Sequence, residues 1–252
     1  MKILAICNQK GGVGKTTTSI NLAASLAHLK NKVLLIDTDP QANATSGVGI
    51  DKASISQSIY NILVDEVDIN DVIVKTAYEN LDIVPSSIAL AGAEVELVSA
   101  ISREQRMKNA ISEIKEDYDY VVIDCPPSLG LITLNSLTAA DGVIIPVQTE
   151  YYALEGLSQL MNTFNIVRKH LNSKLDIFGV LLTMTDSRTN ISNQVAEQVR
   201  AHFKEKAFDT VIARTVRLSE APSFGEPIIE YAKNSNGAKQ YVSLAKEVIE
   251  RG

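Results

Sequence analysis

Residues 10–17 read Lys-Gly-Gly-Val-Gly-Lys-Thr-Thr, and they lie between a short apolar run and a longer segment with apolar residues at helical spacing. The apolar run, residues 3–7, is typical of a buried parallel strand, and residues 22–29 are typical of a helix. Three glycines in four positions allow backbone N–H groups to converge on an anion, and the start of the helix adds its positive dipole end. Strand, glycine-rich turn and helix in this order predict a phosphate-binding loop.

Two side chains of this loop have the chemistry that a nucleotide site needs. Lys15 supplies a positive charge for the β and γ phosphates, and the Thr16 hydroxyl can bind Mg²⁺. The common form of the loop has a glycine where this chain has Gln9, and this chain carries an additional lysine, Lys10. An isolated loop lysine is usually a solvated surface charge, but the neighbouring glycines bring Lys10 close to bound phosphate. We therefore expect the nucleotide to contact the whole loop: Lys10, Gly11, Gly12, Val13, Gly14, Lys15, Thr16 and Thr17.

Aspartates stand at the ends of two further apolar strands. Residues 32–36 lead into Asp37 and Asp39, and residues 120–123 lead into Asp124. Ligands of a parallel sheet bind beyond the carboxyl ends of its strands, so these carboxylates are expected near the loop. Asp124 has the form of a Walker B aspartate, which holds Mg²⁺, usually through a water molecule. The alternatives are that Asp37 and Asp39 occupy a solvated turn and that Asp124 only caps the next helix.

Strands that alternate with helices along the chain predict the fold class. The pattern favours an α/β single-domain P-loop NTPase, residues 1–252, with a mainly parallel twisted sheet flanked by helices on both faces. We also expect one long helix over residues 91–116, an apolar helix face over residues 154–171, a short strand near residues 211–212 and a loop over residues 214–223. A C-terminal helix, residues 237–251, should bury a row of side chains: Tyr241, Val242, Ala245, Val248 and Ile249.

Composition is ordinary for a soluble globular protein. Of the 252 residues 45% are hydrophobic and 21% are charged, and the net charge of −6 argues against a uniformly basic nucleic-acid-binding protein without excluding a local basic patch. The two cysteines, Cys7 and Cys125, lie in apolar strands and are expected to be buried reduced thiols. No stretch approaches the roughly 20 apolar residues of a membrane-spanning helix, and the N-terminus does not have the pattern of a signal peptide. We therefore expect a cytoplasmic protein.

Five motifs of the sequence resemble the ParA/MinD group of ATPases, and in particular its chromosomal ParA/Soj branch. They are spread over nearly the whole chain and read N-Q-K-G-G-V-G-K-T-T-T, D-T-D-P-Q, V-V-I-D-C-P-P-S, T-M-T-D-S-R-T and R-L-S-E-A-P-S-F-G. The first contains the deviant Walker A motif of this group, in which Lys10 is the signature lysine. The resemblance implies a weak ATPase of chromosome or plasmid partition, with ATP and Mg²⁺ as cofactors.

The resemblance also implies roles for individual residues. Asp39 helps to position or activate the attacking water. ATP closes two subunits face to face, so that Lys10 of each subunit reaches the phosphates held by the other, as an arginine finger does. The implied catalytic residues are Lys10, Lys15 and Asp39. The implied Mg²⁺ residues are Thr16, Asp37 and Asp124, and the implied walls of the adenine pocket are Met184 and Pro222.

By the same resemblance the dimer binds double-stranded DNA without sequence preference through Arg188 and Arg217, associates with the nucleoid, and is reset by a ParB-type partner. Residues 185–220 contain six Lys or Arg and five Asp or Glu, so this region is not a basic stripe. Each monomer would make few phosphate contacts, and doubling them in a dimer would raise the DNA affinity steeply, because affinity grows with every neutralised phosphate. The alternative is that both arginines form ordinary ion pairs with neighbours such as Asp186 or Glu220.

Other functions have weaker support. A MinD-like cell-division ATPase needs a basic amphipathic tail for the membrane, whereas residues 246–252 have balanced charges. A relative of the nitrogenase iron protein needs bridging cysteines in its switch regions, and Cys7 lies inside the first strand. Biotin-type synthetases with the same loop are a further metabolic alternative. A protein that only binds nucleotide is disfavoured because the chain has all five residues expected for hydrolysis: Lys10, Lys15, Thr16, Asp39 and Asp124.

Overall fold

The computed structural model describes residues 1–114, 116–150 and 157–252. Within these ranges seven strands form one sheet, in the order β3-β4-β2-β5-β1-β6-β7. The strands are β1 (Lys2–Ile6), β2 (Val33–Asp37), β3 (Val74–Lys75), β4 (Leu81–Val84), β5 (Tyr120–Asp124), β6 (Gly142–Gln148) and β7 (Asp176–Thr183).

The register of the central strands places several loops at one edge of the sheet. β5 runs parallel to both β1 and β2, and Asp124 pairs with Ile6 on one side and with Asp37 on the other. Parallel strands need crossover connections, so the segments that follow β1, β2 and β5 all leave at the carboxyl edge. Only the short β3 is antiparallel to its neighbour β4 among the described strands. The mainly parallel α/β sheet expected from the sequence is confirmed.

Helices cover both faces of the sheet because successive strand residues point to opposite sides. Leu4 and Ile6 of β1 belong to one apolar cluster, and Ala5 between them belongs to the other. The helices are α1 (Lys15–His28), α2 (Asn43–Gly47), α3 (Ile59–Leu63), α4 (Ile69–Val72), α5 (Leu90–Glu96), α6 (Arg106–Glu113), α7 (Leu131–Ala139), α8 (Leu157–His170), α9 (Asn190–Phe203), α10 (Val216–Glu220), α11 (Ile228–Tyr231) and α12 (Asn236–Arg251). The helices from α3 to α9 share the cluster of Ala5, and α1, α2, α10, α11 and α12 share the cluster of Leu4.

The single long helix expected over residues 91–116 is wrong. The structure has α5, a 3₁₀ turn at Leu97–Ser99 and then α6, with a non-helical stretch in which Ser102 has a φ of 51°. The side chain of Asn135 in α7 holds this break, because it donates to the Arg103 carbonyl at 2.7 Å and accepts from the Met107 N–H at 3.3 Å. Hydrogen bonds from a distant helix therefore interrupt the segment, and helical periodicity does not reveal them.

The short strand expected near residues 211–212 is also absent from the described chain. The segment runs beside β7, where Ile212 N–H donates to the Leu182 carbonyl at 2.9 Å. A bridge between Thr185 and Ala213 is isolated and does not extend into a strand.

The loop expected over residues 214–223 is helical instead. It contains α10 and a 3₁₀ turn at Ala221–Phe224. The Thr215 side chain caps α10 by accepting from the Leu218 N–H at 3.3 Å. Pro222, which suggested a loop, lies in the first turn of the 3₁₀ helix. Proline is tolerated there because the N–H groups of a first turn have no hydrogen-bond partner within the helix.

The expected packing of the C-terminal helix is partly correct. α12 buries three members of the expected row, but Val242 is only half-buried and Ile249 is 38% exposed. Leu244, which the expectation omitted, is buried instead. Of the apolar face expected over residues 154–171, Leu154 lies outside the described residues, and α8 buries the members Leu157, Leu160, Phe164 and Val167.

Cys7 and Cys125 are buried free thiols, as expected. Burial raises the pKa of Cys7, and a hydrogen bond with Cys125 raises it further. The Cys7 thiol therefore stays protonated, and both buried cysteine side chains pack as small apolar groups.

Candidate nucleotide site

The loop between β1 and α1 is shaped by glycine conformations and by a hydrogen bond from another strand. Gly12 and Gly14 have φ values of 73° and 87°, in the left-handed region that residues with a side chain rarely adopt. The Thr183 hydroxyl, at the end of β7, donates to the Val13 carbonyl at 2.8 Å. The loop and the N-terminus of α1 are thereby fixed at the carboxyl edge of the sheet, where backbone N–H groups stabilise anions.

Lys15 is the first residue of α1 and is 8% exposed. Its Nζ donates to the Lys10 carbonyl at 3.2 Å, across the mouth of the loop. Burial lowers the pKa of Lys15, and the nearby Asp124 carboxylate opposes this shift. The Lys15 ammonium group therefore lies against the glycine-rich loop, which is the position that a phosphate-binding lysine requires.

Asp124 ends β5 and is fully buried. Its Oδ1 accepts from the Ser19 hydroxyl at 2.8 Å, whereas Oδ2 has no hydrogen-bond partner among the described residues. Burial raises the pKa of Asp124 to about 8, and the Asp37 carboxylate adds to the shift. A buried carboxylate oxygen without a donor or a cation is costly, so this oxygen marks a place where a ligand would be stabilised.

The oxygens around Asp124 fit a magnesium ion. Mg²⁺ takes hard oxygen ligands, and it is commonly held by one or two carboxylates together with substrate phosphates. The Thr16 side chain interacts with the Asp124 carboxyl and lowers its pKa, against the larger effect of burial. Thr16 and the Asp124 carboxyl therefore offer a hydroxyl and a carboxylate oxygen beside the loop.

Asp37 and Asp39 lie in the same site with different surroundings. Asp37 is fully buried, and its oxygens accept from the Thr45 N–H at 2.8 Å, the Thr45 hydroxyl at 2.7 Å and the Asp39 N–H at 3.1 Å. Burial nevertheless raises its pKa to about 6. Asp39 is half-buried, and its Oδ1 accepts from the Gln41 N–H at 2.9 Å. Hydrogen bonds from Thr45 and Asp39 thus satisfy the Asp37 carboxylate, and they order the segment after β2. Asp39 is the more accessible of the two carboxylates.

A cavity of about 520 Å³ opens beside the loop. Gly14 and Thr17 line it together with Met184 and Pro222, the two residues expected to wall an adenine pocket. A larger cavity of about 840 Å³, lined by Tyr118 among others, lies at the amino ends of β2, β4 and β5. Because ligands of parallel sheets bind at the carboxyl ends, the smaller cavity is the one that fits a nucleobase.

Lys10 contacts an acidic residue that the sequence did not single out. Its Nζ lies 3.7 Å from Glu150 Oε2, and Arg214 Nη2 lies 3.8 Å from Glu150 Oε1. The Lys10 side chain is 34% exposed, that of Glu150 is 53% exposed and that of Arg214 is 65% exposed. Ion pairs this exposed contribute on the order of 0–1 kcal/mol to the stability of the fold. No local pattern marks Glu150, because it is an ordinary polar residue after a buried strand.

The loop that carries Arg188 and the segment that leads into α10, which carries Arg217, are neighbours. Beside the bridge between Thr185 and Ala213, the N–H of Arg214 donates to the Thr185 carbonyl at 3.1 Å. The chain therefore holds the segments that follow positions 185 and 213 side by side at one end of the sheet. Arg188 and Arg217, which are far apart in sequence, therefore follow neighbouring segments of the fold.

The two arginines differ in their ion pairs. Arg188 binds Asp186 through two hydrogen bonds of 2.9 and 2.7 Å, yet its side chain is 87% exposed. Arg217 is exposed, and its suggested partner Glu220 accepts instead from the Tyr231 hydroxyl at 3.1 Å. The ion-pair alternative is therefore found for Arg188, whereas Glu220 is engaged elsewhere.

Residues that hold the site in place could not be found from local sequence. Ser19 lies four residues after Lys15, one helical turn along α1, and this spacing is the only signal of its contact with Asp124. The hydrogen bond from Thr183 to the loop joins positions 170 residues apart. Asn8 supports the loop from inside, because it accepts from the Lys10 N–H at 3.0 Å and donates to the Pro146 carbonyl at 2.7 Å.

The raised pKa of Asp124 gives a testable pH dependence. The carboxyl has a pKa of about 8 in the folded chain and roughly 3.9 in the unfolded chain, so the folded state holds an extra proton between these values. The free energy of unfolding of the nucleotide-free protein should therefore fall as pH rises from about 4 to about 8. Asp124→Asn should flatten this slope and remove the added stability that Mg²⁺ with ATP gives. Denaturant unfolding at pH 6 and pH 8.5, with and without Mg²⁺ and ATP, measures both effects.

The exposed Asp71 provides the control for this experiment. Asp71→Asn removes the same charge outside the site and should keep both the pH slope and the stabilisation by Mg²⁺ and ATP. An Asp124→Asn protein with the wild-type slope would show that another group carries the extra proton.

A phosphate loop whose lysine faces a buried, half-satisfied carboxylate on a neighbouring parallel strand defines a P-loop nucleotide hydrolase. Similarity to known proteins identifies the family within this class of hydrolases. A family described as "AAA domain" matches residues 1–177. The sporulation initiation inhibitor protein Soj of Bacillus subtilis is 62% identical over 251 residues, which cover 100% of this chain and 99% of Soj. The chain belongs to the Soj/ParA family of chromosome-partitioning P-loop ATPases.

A second partition protein and the solved structure of a synthase are also similar to this chain. The chromosome partitioning protein ParA of Myxococcus xanthus is 52% identical over 250 residues, which cover 99% of this chain and 88% of that protein. Cobyrinic acid a,c-diamide synthase of Mycobacterium smegmatis, in a structure with bound ATP analogue and magnesium, superimposes with a TM-score of 0.87 at 36% identity, covering 99% of this chain and 95% of the synthase. The higher identity to the partition proteins favours partition over the synthetase alternative.

The helices of the described chain were not expected from the sequence to cross a membrane. Across residues 1–114, 116–150 and 157–252, none of them has both the length and the hydropathy that crossing a membrane requires.

Proposed function

We propose that this chain binds ATP with Mg²⁺ and uses slow hydrolysis as a switch in DNA partition. The observation that carries the proposal is the buried Oδ2 of Asp124, which has no hydrogen-bond partner in the described part of the chain and lies beside the phosphate loop at the carboxyl edge of the sheet. The phosphates would bind the loop N–H groups and Lys15, and the base would occupy the cavity with Met184 and Pro222. Thr16 and Asp124 would hold Mg²⁺, which neutralises charge on the phosphates.

Hydrolysis is proposed to need residues from two subunits. Asp39, the more accessible of the two aspartates after β2, would orient the attacking water. Lys10 would reach the phosphates of a second copy, where a cation supplied in trans is worth roughly 10³–10⁵ in rate. Its exposed ion pair with Glu150 is weak and can be exchanged for phosphate at little cost. ATP binding and dimerisation are thereby coupled, because the contact of Lys10 needs a bound triphosphate.

DNA binding is proposed to follow dimerisation. Arg188 and Arg217 extend from neighbouring segments into solvent, and each monomer offers only a few such cations. A dimer doubles the number of phosphate contacts, and the observed affinity falls with salt in proportion to that number. A ParB-type partner, which membership of this family implies, would stimulate hydrolysis and release the dimer from DNA.

The proposal has no membrane step. α12 would be the helix to lie on a membrane, but its apolar face is packed against the core, with Tyr241, Leu244 and Val248 buried. Exposing that face would cost the protein the burial of several large side chains.

Arg217→Glu tests the DNA step. The substitution replaces an exposed cation with an anion, so we expect at least a tenfold loss of DNA affinity at low salt and a shallower salt dependence, with ATP binding unchanged. Retention of the ATP-bound protein on duplex DNA of unrelated sequences measures the affinity, and nucleotide binding is measured without DNA.

Arg168→Glu is the matched control, because Arg168 is also exposed but lies on α8, across the sheet from α10. It should leave DNA retention near the wild-type level. If both variants bind DNA as the wild type does, Arg217 has no part in DNA binding.

A further inference from the structure

The loop that carries Arg188 is attached to the sheet through two buried hydroxyl groups. Ser192, in the first turn of α9, is buried, and its Oγ accepts from the Asp186 N–H at 3.1 Å. The same hydroxyl donates to the Thr149 hydroxyl oxygen at 2.8 Å, and Thr149 is the buried residue that follows β6. A buried hydroxyl group without a partner is costly, so this hydrogen bond fixes the start of α9 to the end of β6. We refer to the Ser192–Thr149 hydrogen bond as the hydroxyl bridge.

Asp186, which the hydroxyl bridge holds by its backbone, binds the guanidinium group of Arg188 from one side. Its Oδ1 accepts from the Arg188 N–H at 3.1 Å and from Nε at 2.9 Å, and its Oδ2 accepts from Nη2 at 2.7 Å. Because the guanidinium group is planar and has N–H donors on both edges, Nη1 is turned away from Asp186. The Arg188 side chain is nevertheless 87% exposed. The contact with Asp186 therefore fixes the direction of the guanidinium group without enclosing it.

The hydroxyl bridge ends beside the residues that hold the phosphate loop. The Thr149 N–H donates to the Thr183 carbonyl at 3.3 Å, and the Thr183 hydroxyl is the group that holds the Val13 carbonyl of the loop. The next residue, Met184, lines the nucleobase cavity and has a φ of 51°. Only a short stretch of chain therefore separates the nucleotide site from Arg188, and hydrogen bonds to the sheet hold it at both ends. The guanidinium group is thereby fixed relative to the nucleotide site.

We propose that Asp186 and Ser192 are positioning residues for DNA binding, which hold the Arg188 guanidinium group in place with one edge directed to a DNA phosphate. A long side chain that is ordered in advance loses less conformational freedom when it binds, so the same contact gives a higher affinity. The inference rests on the proposed function, in which Arg188 contacts DNA. It adds which residues hold that arginine and how they tie it to the nucleotide site.

The alternative is that Asp186 only neutralises Arg188 and so opposes DNA binding. A counter-charge needs no contact with the backbone, whereas the Asp186 carboxylate accepts from the Arg188 N–H and the Asp186 N–H is itself bound by Ser192. These backbone contacts order the turn, and they favour positioning. The two roles predict opposite changes in DNA affinity when the carboxylate is removed.

Asp186→Ala should lower the affinity of the ATP-bound protein for duplex DNA about three- to tenfold, because the guanidinium group must then be ordered on binding. Removal of an anion beside the DNA would by itself raise the affinity, so net charge cannot produce this loss. Glu197→Ala removes the same charge from an exposed position on α9 and should not lower the affinity. Equilibrium titration of duplex DNA at low salt, with ATP and Mg²⁺, measures all three proteins. An unchanged or higher affinity for Asp186→Ala would overturn the role of Asp186.

Ser192→Ala breaks the hydroxyl bridge without a change in charge. It should cause a loss of DNA affinity of similar size, with ATP binding and ATP-dependent dimerisation unchanged. Thr149→Val breaks the bridge from its other side, so the result does not depend on the folding of a single variant. Ser136→Ala is the control, because it removes another buried and hydrogen-bonded hydroxyl, on α7, and it should bind DNA normally.

A double-mutant cycle separates positioning of Arg188 from a general effect on the fold. If Ser192 acts through Arg188, Ser192→Ala should lower the DNA affinity of the wild type and have no further effect on Arg188→Ala protein. An equal loss in both backgrounds would show that Ser192 affects DNA binding by another route, and the proposal would be refuted.

Failure of the positioning proposal can be distinguished from failure of the proposed function. If Arg188→Ala weakens DNA binding while Asp186→Ala and Ser192→Ala bind as the wild type does, positioning is refuted and the proposed function stands. If Arg188→Ala binds DNA as tightly as the wild type, or if the wild type does not bind DNA in ATP, the proposed role of Arg188 fails. The positioning proposal then fails with it.

Discussion

Lys10→Ala is expected to leave ATP binding near the wild-type affinity and to reduce partner-stimulated hydrolysis by roughly 10³-fold or more. Among the described residues, the Lys10 side chain makes only an exposed contact with Glu150, at 3.7 Å, and Ala keeps the backbone hydrogen bonds, so the substitution should not destabilise the fold. Lys15, which is buried and faces Asp124, should still hold the phosphates. The loss should therefore appear in turnover and in ATP-dependent dimerisation, and not in nucleotide affinity.

Three measurements on one preparation separate these effects: equilibrium binding of an ATP analogue, molecular mass in solution with ATP, and the steady-state rate. Lys174→Ala removes an exposed lysine far from the loop and should match the wild type in all three. Lys10→Ala protein that dimerises and turns over ATP at the wild-type rate would show that Lys10 does not act across the subunit interface.

Asp39→Ala is expected to lower hydrolysis by roughly 10²–10⁴-fold, which is the usual contribution of a residue that positions or deprotonates a nucleophile. Asp39 lies just beyond the end of β2, beside the fully buried and hydrogen-bonded Asp37. Because the phosphate loop and Lys10 are unchanged, this variant should still bind ATP and dimerise. It should therefore remain on DNA in ATP, whereas Lys10→Ala should not bind DNA tightly at all.

The informative result is that Asp39→Ala should stay bound to DNA in ATP, whereas Lys10→Ala should not bind it tightly. Single-turnover hydrolysis and the dissociation rate from duplex DNA in ATP measure it, with Asp71→Ala as an exposed control. An Asp39→Ala protein that hydrolyses ATP normally would remove Asp39 from the reaction. One that fails to bind ATP would assign it to nucleotide binding.

The sheet could be predicted from sequence because each central strand is a short apolar run that ends in a functional residue. β1 leads to the glycine loop, β2 to Asp37 and β5 to Asp124, and parallel pairing then brings the three ends together. The break before α6 could not be predicted, since it depends on Asn135 from a different helix. Pro222 misled the interpretation of residues 214–223 because proline also suits the first turn of a helix.

Some residues of the candidate site could be predicted from the sequence, and others could not. Residues that would touch the nucleotide stand in contiguous motifs, so they could be named from sequence, and the structure brings Gly14, Met184 and Pro222 to one cavity. Residues that support them, such as Ser19 and Thr183, act through hydrogen bonds to partners more than a hundred positions away. Such contacts are determined by the packing of the chain and leave no local pattern.

The central claim is that ATP switches DNA binding by making a dimer, and the salt dependence of DNA affinity tests it most directly. Affinity for duplex DNA is measured over a range of salt concentrations with ATP and with ADP, each with Mg²⁺. We predict tight binding in ATP, with a slope of log affinity against log salt about twice that in ADP, because a dimer neutralises twice as many phosphates. Equal affinities and equal slopes with the two nucleotides would contradict the account.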